Sequence, residues 1–141
     1  MWTHRLRLVL RLNATTSFVG GAIAAIAAGW VSETLGIDHV AITRIVGIGL
    51  ILFAADIAHL STRDRDRLLS ETRLVSAADA AWVIATVVVL AAGILTTTGV
   101  VTAVVLGLGV ADFGMAQLWF RSKAIAEQPV GTATPSMAVA A

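Results

Sequence analysis

From Ala14 to Phe120 the chain consists of long apolar runs separated by short polar breaks, and the runs have the length of membrane crossings. A spanning helix needs about 17–25 mostly apolar residues. Residues 14–32 carry no charge, and Gly20, Gly21, Ala24, Ala25, Ala28 and Gly29 put small side chains four apart. Residues 39–60 form a second run, interrupted by Arg44 and Asp56. The uncharged stretch from Ala80 to Ala111 is too long for one crossing. At about 1.5 Å per residue it overshoots a hydrocarbon core of roughly 30 Å. Its natural break is "TTTG", Thr96 to Gly99, where β-branched polar residues meet a flexible glycine. Two spans follow, at about 78–96 and 100–120. The pattern predicts an all-α fold, an integral membrane bundle of four transmembrane helices.

Outside the spans the pattern is weaker. Trp2 and the leucines among Arg5, Arg7 and Arg11 predict a short interfacial helix leading into the first span. The tail, 124–141, has small residues, two prolines and no amphipathic period, and reads as a disordered cytoplasmic segment after a four-helix domain at 1–123.

Composition agrees with this reading. Charged residues make up 13% of the chain, against about 25% in soluble domains. A net charge of +1 says nothing of nucleic acid, and no nucleic-acid partner is expected. The absence of cysteine excludes disulfides, thiolate nucleophiles and Cys-ligated metals.

The placement of charge is more informative than its sum. Arg5, Arg7 and Arg11 precede the first span; Arg63, Arg65, Arg67 and Arg73 lie between the second and third; Arg121 and Lys123 follow the fourth. Four crossings put all three groups on one side, while the opposite loops carry Glu33 and Asp38. The positive-inside rule then places both termini in the cytoplasm. Removing the first span as a signal peptide would break this asymmetry, so it is expected to stay. Asn13-Ala14-Thr15 matches a glycosylation acceptor but falls on the cytoplasmic side.

Seven polar residues lie within or beside the spans: Asn13, Arg44, Asp56, His59, Asp79, Asp112 and Gln117. Asn13 opens the first span, Asp56 and His59 close the second, Asp79 opens the third and Gln117 closes the fourth. Together they predict one polar layer in the inner leaflet, with Asp112 roughly 13 Å deeper than Arg121. Ionisable groups at such depth face the bundle interior or a wet cavity as a rule, so Asp112 is expected to point inward. On a helical wheel Arg44, Ile48, Ile51, Ala55 and His59 share a stripe of the second span, with Asp56 about 60° beyond His59. That stripe is expected to face neighbouring helices, and Arg44 to reach Glu33, Asp38 or Asp112.

These residues allow two roles. They can pair with one another and hold the helices in register, at about 0.6–2 kcal/mol per contact. Alternatively, Asp112 or Asp56 can carry a proton or cation for a transported solute. A metal site is not expected. Asp56 and His59 at i, i+3 supply one carboxylate-x-x-His unit where paired-metal bundles use two. Haem is not expected either, because His39 and His59 sit at opposite ends of one span. No other cofactor is implied. The glycines of "GIG" (Gly47 to Gly49) and "GLG" (Gly107 to Gly109) lie inside apolar spans, where they let helices approach rather than cradle phosphate. Each precedes an Ala-Asp pair, Ala55-Asp56 and Ala111-Asp112, which hints at two related hairpins. No Ser-His-carboxylate arrangement marks a hydrolase.

"RLNATTSFVGG", "RIVGIGLILFAA", "AADAAWV" and the late glutamine of the fourth span resemble a group of small four-span bacterial integral membrane proteins with no assigned chemistry. The topology is also similar to that of DoxX-like and small multidrug resistance proteins, although the first span lacks the buried glutamate of the latter. The resemblance implies a bacterial inner (cytoplasmic) membrane and four helices. The function expected is that of a non-enzymatic membrane protein, embedded in the lipid bilayer and assembling with itself or a membrane-protein partner. The alternative is a homo-oligomeric proton-coupled transporter of a small solute.

Overall fold

The first helix, α1, runs unbroken from Trp2 to Ile26 in the computed structural model, which describes residues 1–127. It is followed by α2 (Ala28–Leu35), α3 (Val40–Leu60), α4 (Arg65–Ala92) and α5 (Thr97–Ala126), with no strand among the described residues. Helices α1, α3, α4 and α5 are long and apolar enough to cross a membrane.

Two differences from the expected elements lie in α1 and α2. No separate interfacial helix precedes the first span, because Leu6 and Leu10 are wholly buried and belong to the same continuous helix. The crossing expected at 14–32 is instead bent at Ala27, which has φ −99° and ψ 31°. The Ala27 N–H still donates to the Ile23 carbonyl at 2.9 Å and the Val31 N–H to that of Ala27 at 3.0 Å, so the ladder continues on either side of the bend. The bend lets α2 lie across α3 and α5. The Ser32 and Thr43 hydroxyls bond at 2.7 Å in a buried position, and the Thr96 N–H donates to the Leu35 carbonyl at 3.0 Å. Gly36, at φ 82°, ends α2 in a Schellman arrangement, with the Ile37 N–H on the Ser32 carbonyl at 2.8 Å. A β-carbon at Gly36 would also stand 2.9 Å from the Thr96 nitrogen.

Helix α4 starts well before the third span expected at 78–96. The Asp64 carboxylate caps it by accepting from the Arg67 N–H at 2.9 Å. Leu68, Leu69, Thr72, Val75, Ser76 and Asp79 then recur at helical spacing and are buried. The arginines that made 63–73 look like a loop therefore mostly lie on a helix, and the true connection is Ser61 to Asp64. Between the last two spans Gly93 closes α4 at φ 65°, and the Thr96 hydroxyl caps α5 by accepting from the Gly99 N–H at 3.0 Å. The break thus falls a few residues before the one expected. At its other end α5 continues through Ala124, which is fully buried, to Ala126, past the expected boundary at Lys123. The rest of the expected tail lies outside the described residues.

Packing is closest between α1 and α3. There Gly21 and Gly47 meet backbone to backbone: a β-carbon on Gly21 would stand 2.7 Å from the Gly47 carbonyl oxygen. Helix α1 also packs on α5, and α5 on α4, whereas α3 and α4 barely meet. The bundle is therefore a row, α3–α1–α5–α4, bent round but left open along one seam. Its apolar core, with Leu6, Leu10, Ile57, Leu60, Leu68 and Ala124, sits at one end. Elsewhere the helices present large exposed apolar side chains, as a lipid-facing surface does.

Both ends of the described chain and the 61–64 turn come together at the core end. The Met1 ammonium and the Glu127 carboxylate are 3.3 Å apart. Arg7 donates to the carbonyls of Ser61 and Arg63, Arg65 to that of Ala124, and Arg121 to that of Leu69 at 2.6 Å. The first three of these acceptors lie at or just past the ends of α3 and α5, where the helix dipole favours a cation. Trp2 meets Trp119 edge-on at 5.4 Å, with Arg5 over one ring and Lys123 over the other. Aromatic rings under cations are the usual furniture of a membrane–water interface.

Candidate functional site

Just above the core end, three helices each contribute one polar side chain to a single point. Asn13 of α1 donates its amide to both oxygens of Asp79 on α4, at 3.0 and 3.3 Å. Gln117 of α5 donates to Asp79 Oδ2 at 3.0 Å. Asn13, Asp79 and Gln117 are at most 3% exposed. Two serines orient the amides. The Ser17 hydroxyl donates to Asn13 Oδ1 and the Ser76 hydroxyl to Gln117 Oε1, both at 3.2 Å. With each amide oxygen engaged from behind, each NH₂ group faces the carboxylate. Gly114 of α5 faces Asp79, and a β-carbon there would stand in ordinary contact with that of Asp79, at 3.6 Å.

Asp79 is thus a buried carboxylate held entirely by neutral donors. The one ion pair among the described residues is Met1 with Glu127, at the bundle end. The arginines at that end bond elsewhere: Arg7, Arg65 and Arg121 donate to backbone carbonyls and Arg11 to the Ser61 hydroxyl.

Of the seven residues expected in the polar set, these three meet. The other four, Arg44, Asp56, His59 and Asp112, are exposed. On α3 the buried stripe is Thr43, Gly47, Ala54, Ile57 and Leu60, whereas Ile48, Ala55 and His59 of the expected stripe lie exposed with Arg44. Small side chains decide this. Gly47 lets α3 touch the α1 backbone, and packing gains between helices in lipid come from such close approach. Arg44 pairs with none of Glu33, Asp38 or Asp112. On α5 the buried positions are Gly99, Gly107, Gln117 and Ala124, and Asp112 lies on the opposite side among exposed Val105, Leu108, Met115 and Trp119. The expectation that Asp112 points inward is overturned, for the same reason: glycine and glutamine occupy the packed face. Ser17 and Ser76 carried no signal in the sequence beyond standing four residues after Asn13 and three before Asp79.

Beside the Asp79 layer the open seam forms a cavity of about 440 Å³, whose wall includes Asn13, Ser17 and Asp79. A second, of about 580 Å³, continues it toward the α2 end, and the two share Gly20, Val46, Leu50, Trp82 and Leu106. The result is one apolar groove, floored by α1 and α5, walled by α3 and α4, with a carboxylate at one end. Comparison of the chain with protein-family models, curated proteins and solved structures returns no match.

Proposed function

We propose that this is a small integral membrane protein without catalytic activity of its own, working in an assembly with further copies of itself or with a membrane partner. The observation that supports this is Asp112, set in the middle of an exposed apolar stripe of α5. An aspartate at the centre of a spanning helix costs about 2.5–3.5 kcal/mol on insertion scales, so this side chain belongs under protein rather than lipid.

The absence of cysteine makes the test direct. Copies of the same topology hold equivalent residues at equal depth. Leu108→Cys and Met115→Cys, flanking Asp112, should therefore give a dimer-sized product on oxidation in native membranes. Val88→Cys, exposed on α4, should not. No product from either α5 variant, or equal products from all three, would count against self-assembly; an adduct of another size would identify a membrane partner.

The membrane we propose is a bacterial inner membrane, in keeping with the resemblance to small four-span bacterial proteins, with both termini cytoplasmic. The arginines support that orientation, since they gather at the end where Met1 and Glu127 meet. Reporter fusions in the 61–64 turn should read cytoplasmic, and one at Leu95 external. A cytoplasmic signal at Leu95 would sink the four-span topology.

The proton-coupled carrier is supported by a different observation, the carboxylate in the groove wall. In that reading the coupling group is Asp79, because Asp56 and Asp112 face away from the groove. Proton-driven solute uptake by vesicles containing the purified protein, lost in Asp79→Asn, separates this from assembly alone.

A further inference from the structure

We propose that the groove between α3 and α4 binds a lipophilic organic cation, its positive head against Asp79 and its apolar body along the groove. The inference concerns binding only and stands apart from the assembly proposed above.

Size comes first. A cavity of about 440 Å³ lies within the roughly 300–1,000 Å³ of small-molecule sites. Its walls are almost wholly apolar, and Asp79, 3% exposed, is the single charged group among them. The charge has no partner in the described chain. Asp79 accepts three hydrogen bonds, all from amides, while a carboxylate has about four acceptor positions. Its Oδ1 accepts just one, at 3.3 Å. A buried carboxylate gains from a counter-charge, and the groove gives one from outside the chain access to Asp79.

The rest of the lining selects the kind of cation. Phe53, Trp82 and Phe113 line the same cavity, and aromatic faces attract organic ammonium groups. A metal ion is a poor fit. Sodium- or calcium-like cations want about six or more oxygen ligands, and the cavity offers few beyond Asp79, Asn13 and Ser17. Access suits a ligand dissolved in the bilayer, because the seam where α3 and α4 barely meet opens sideways along the spans.

The test uses the full chain in lipid nanodiscs, titrated calorimetrically with 4-phenylbutyltrimethylammonium and with its neutral isostere, carbon replacing nitrogen. The cation should bind, the isostere at least tenfold more weakly. Asp79→Asn, which keeps a polar side chain in the layer, should weaken cation binding at least tenfold. Because that variant also alters the polar layer, Gly49→Leu provides a second route. Gly49 lines the cavity, and a β-carbon there meets nothing within 4 Å, so leucine fills the groove without touching the layer. It should abolish binding without lowering the melting temperature. The proposal is overturned if the wild type does not bind the cation, if the isostere binds as well, or if the Asp79→Asn and Gly49→Leu variants both bind like wild type.

Discussion

Gly47→Leu should leave almost no folded protein. A β-carbon at this position would stand 2.5 Å from the Ala25 nitrogen, 2.7 Å from the Gly21 oxygen and 2.8 Å from the Ala24 carbonyl carbon. All three are backbone atoms, so no rotamer change can relieve the contact and α1 must move bodily away from α3. Overpacking costs about 1–3 kcal/mol where side chains can yield, and more where they cannot. Total stabilities are only about 5–15 kcal/mol. Gly49→Ala, two residues on, is the control. Its β-carbon enters open space, and replacing a helical glycine by alanine there stabilises by up to about 1 kcal/mol. Yield of monodisperse protein in mild detergent and its melting temperature would show the contrast. Equal behaviour of the two variants would mean that α1 and α3 are not in backbone contact.

Asp79→Ala should be the most damaging change in the polar layer. Removing the carboxylate strands the amides of Asn13 and Gln117, which donate to it and are buried. Each unsatisfied buried donor costs about 1–3 kcal/mol, so the loss is on the order of 2–6 kcal/mol. Replacing Asn13, Asp79 and Gln117 together by leucine should be milder than Asp79→Ala alone, because the only groups then left behind are the Ser17 and Ser76 hydroxyls, which can turn to carbonyls of their own helices. Thermal unfolding of the two proteins in the same detergent decides the point. If Asp79→Ala melts with the wild type, the three side chains do not converge as described.

Much of this architecture is legible in the amino-acid sequence, and the reason differs from feature to feature. The crossings announce themselves because lipid demands long uninterrupted apolar runs, and Asn13, Asp79 and Gln117 can be matched in depth by counting along those runs. Which face of a span turns inward is harder to read. On α3 both faces are apolar, and the rule that charges hide inside the bundle selects the Arg44–His59 stripe. The packed stripe is instead marked by Thr43, Gly47 and Ala54, small residues that lose little by facing another backbone. The rule also presumes a bundle complete in one chain, whereas Asp112 lies on an exposed face of α5. Charge density hid the start of α4, because Arg65, Arg67 and Arg73 obscure the Leu68–Leu69–Thr72 face behind them. The arginine clusters announce an orientation, but their bonds to carbonyls of the 61–64 turn and α5 are invisible until the helices are placed.

The polar layer also sets an order on the making of the protein. Asn13 and Asp79 are 66 residues apart in the chain, and Gln117 comes 38 residues after Asp79. At synthesis rates of about 5–20 residues per second, the Asn13 amide waits roughly 3–13 s for its carboxylate to be made, and Asp79 a further 2–8 s for its second amide. Before the first interval ends α1 and α3 are both complete, and nothing polar yet binds α1 to the later helices. What can hold the nascent hairpin in the bilayer through that time is the contact of Gly21 with Gly47. A glycine pair without charge or hydrogen-bonding side chain thus guards the unpartnered amide until the rest of the chain arrives.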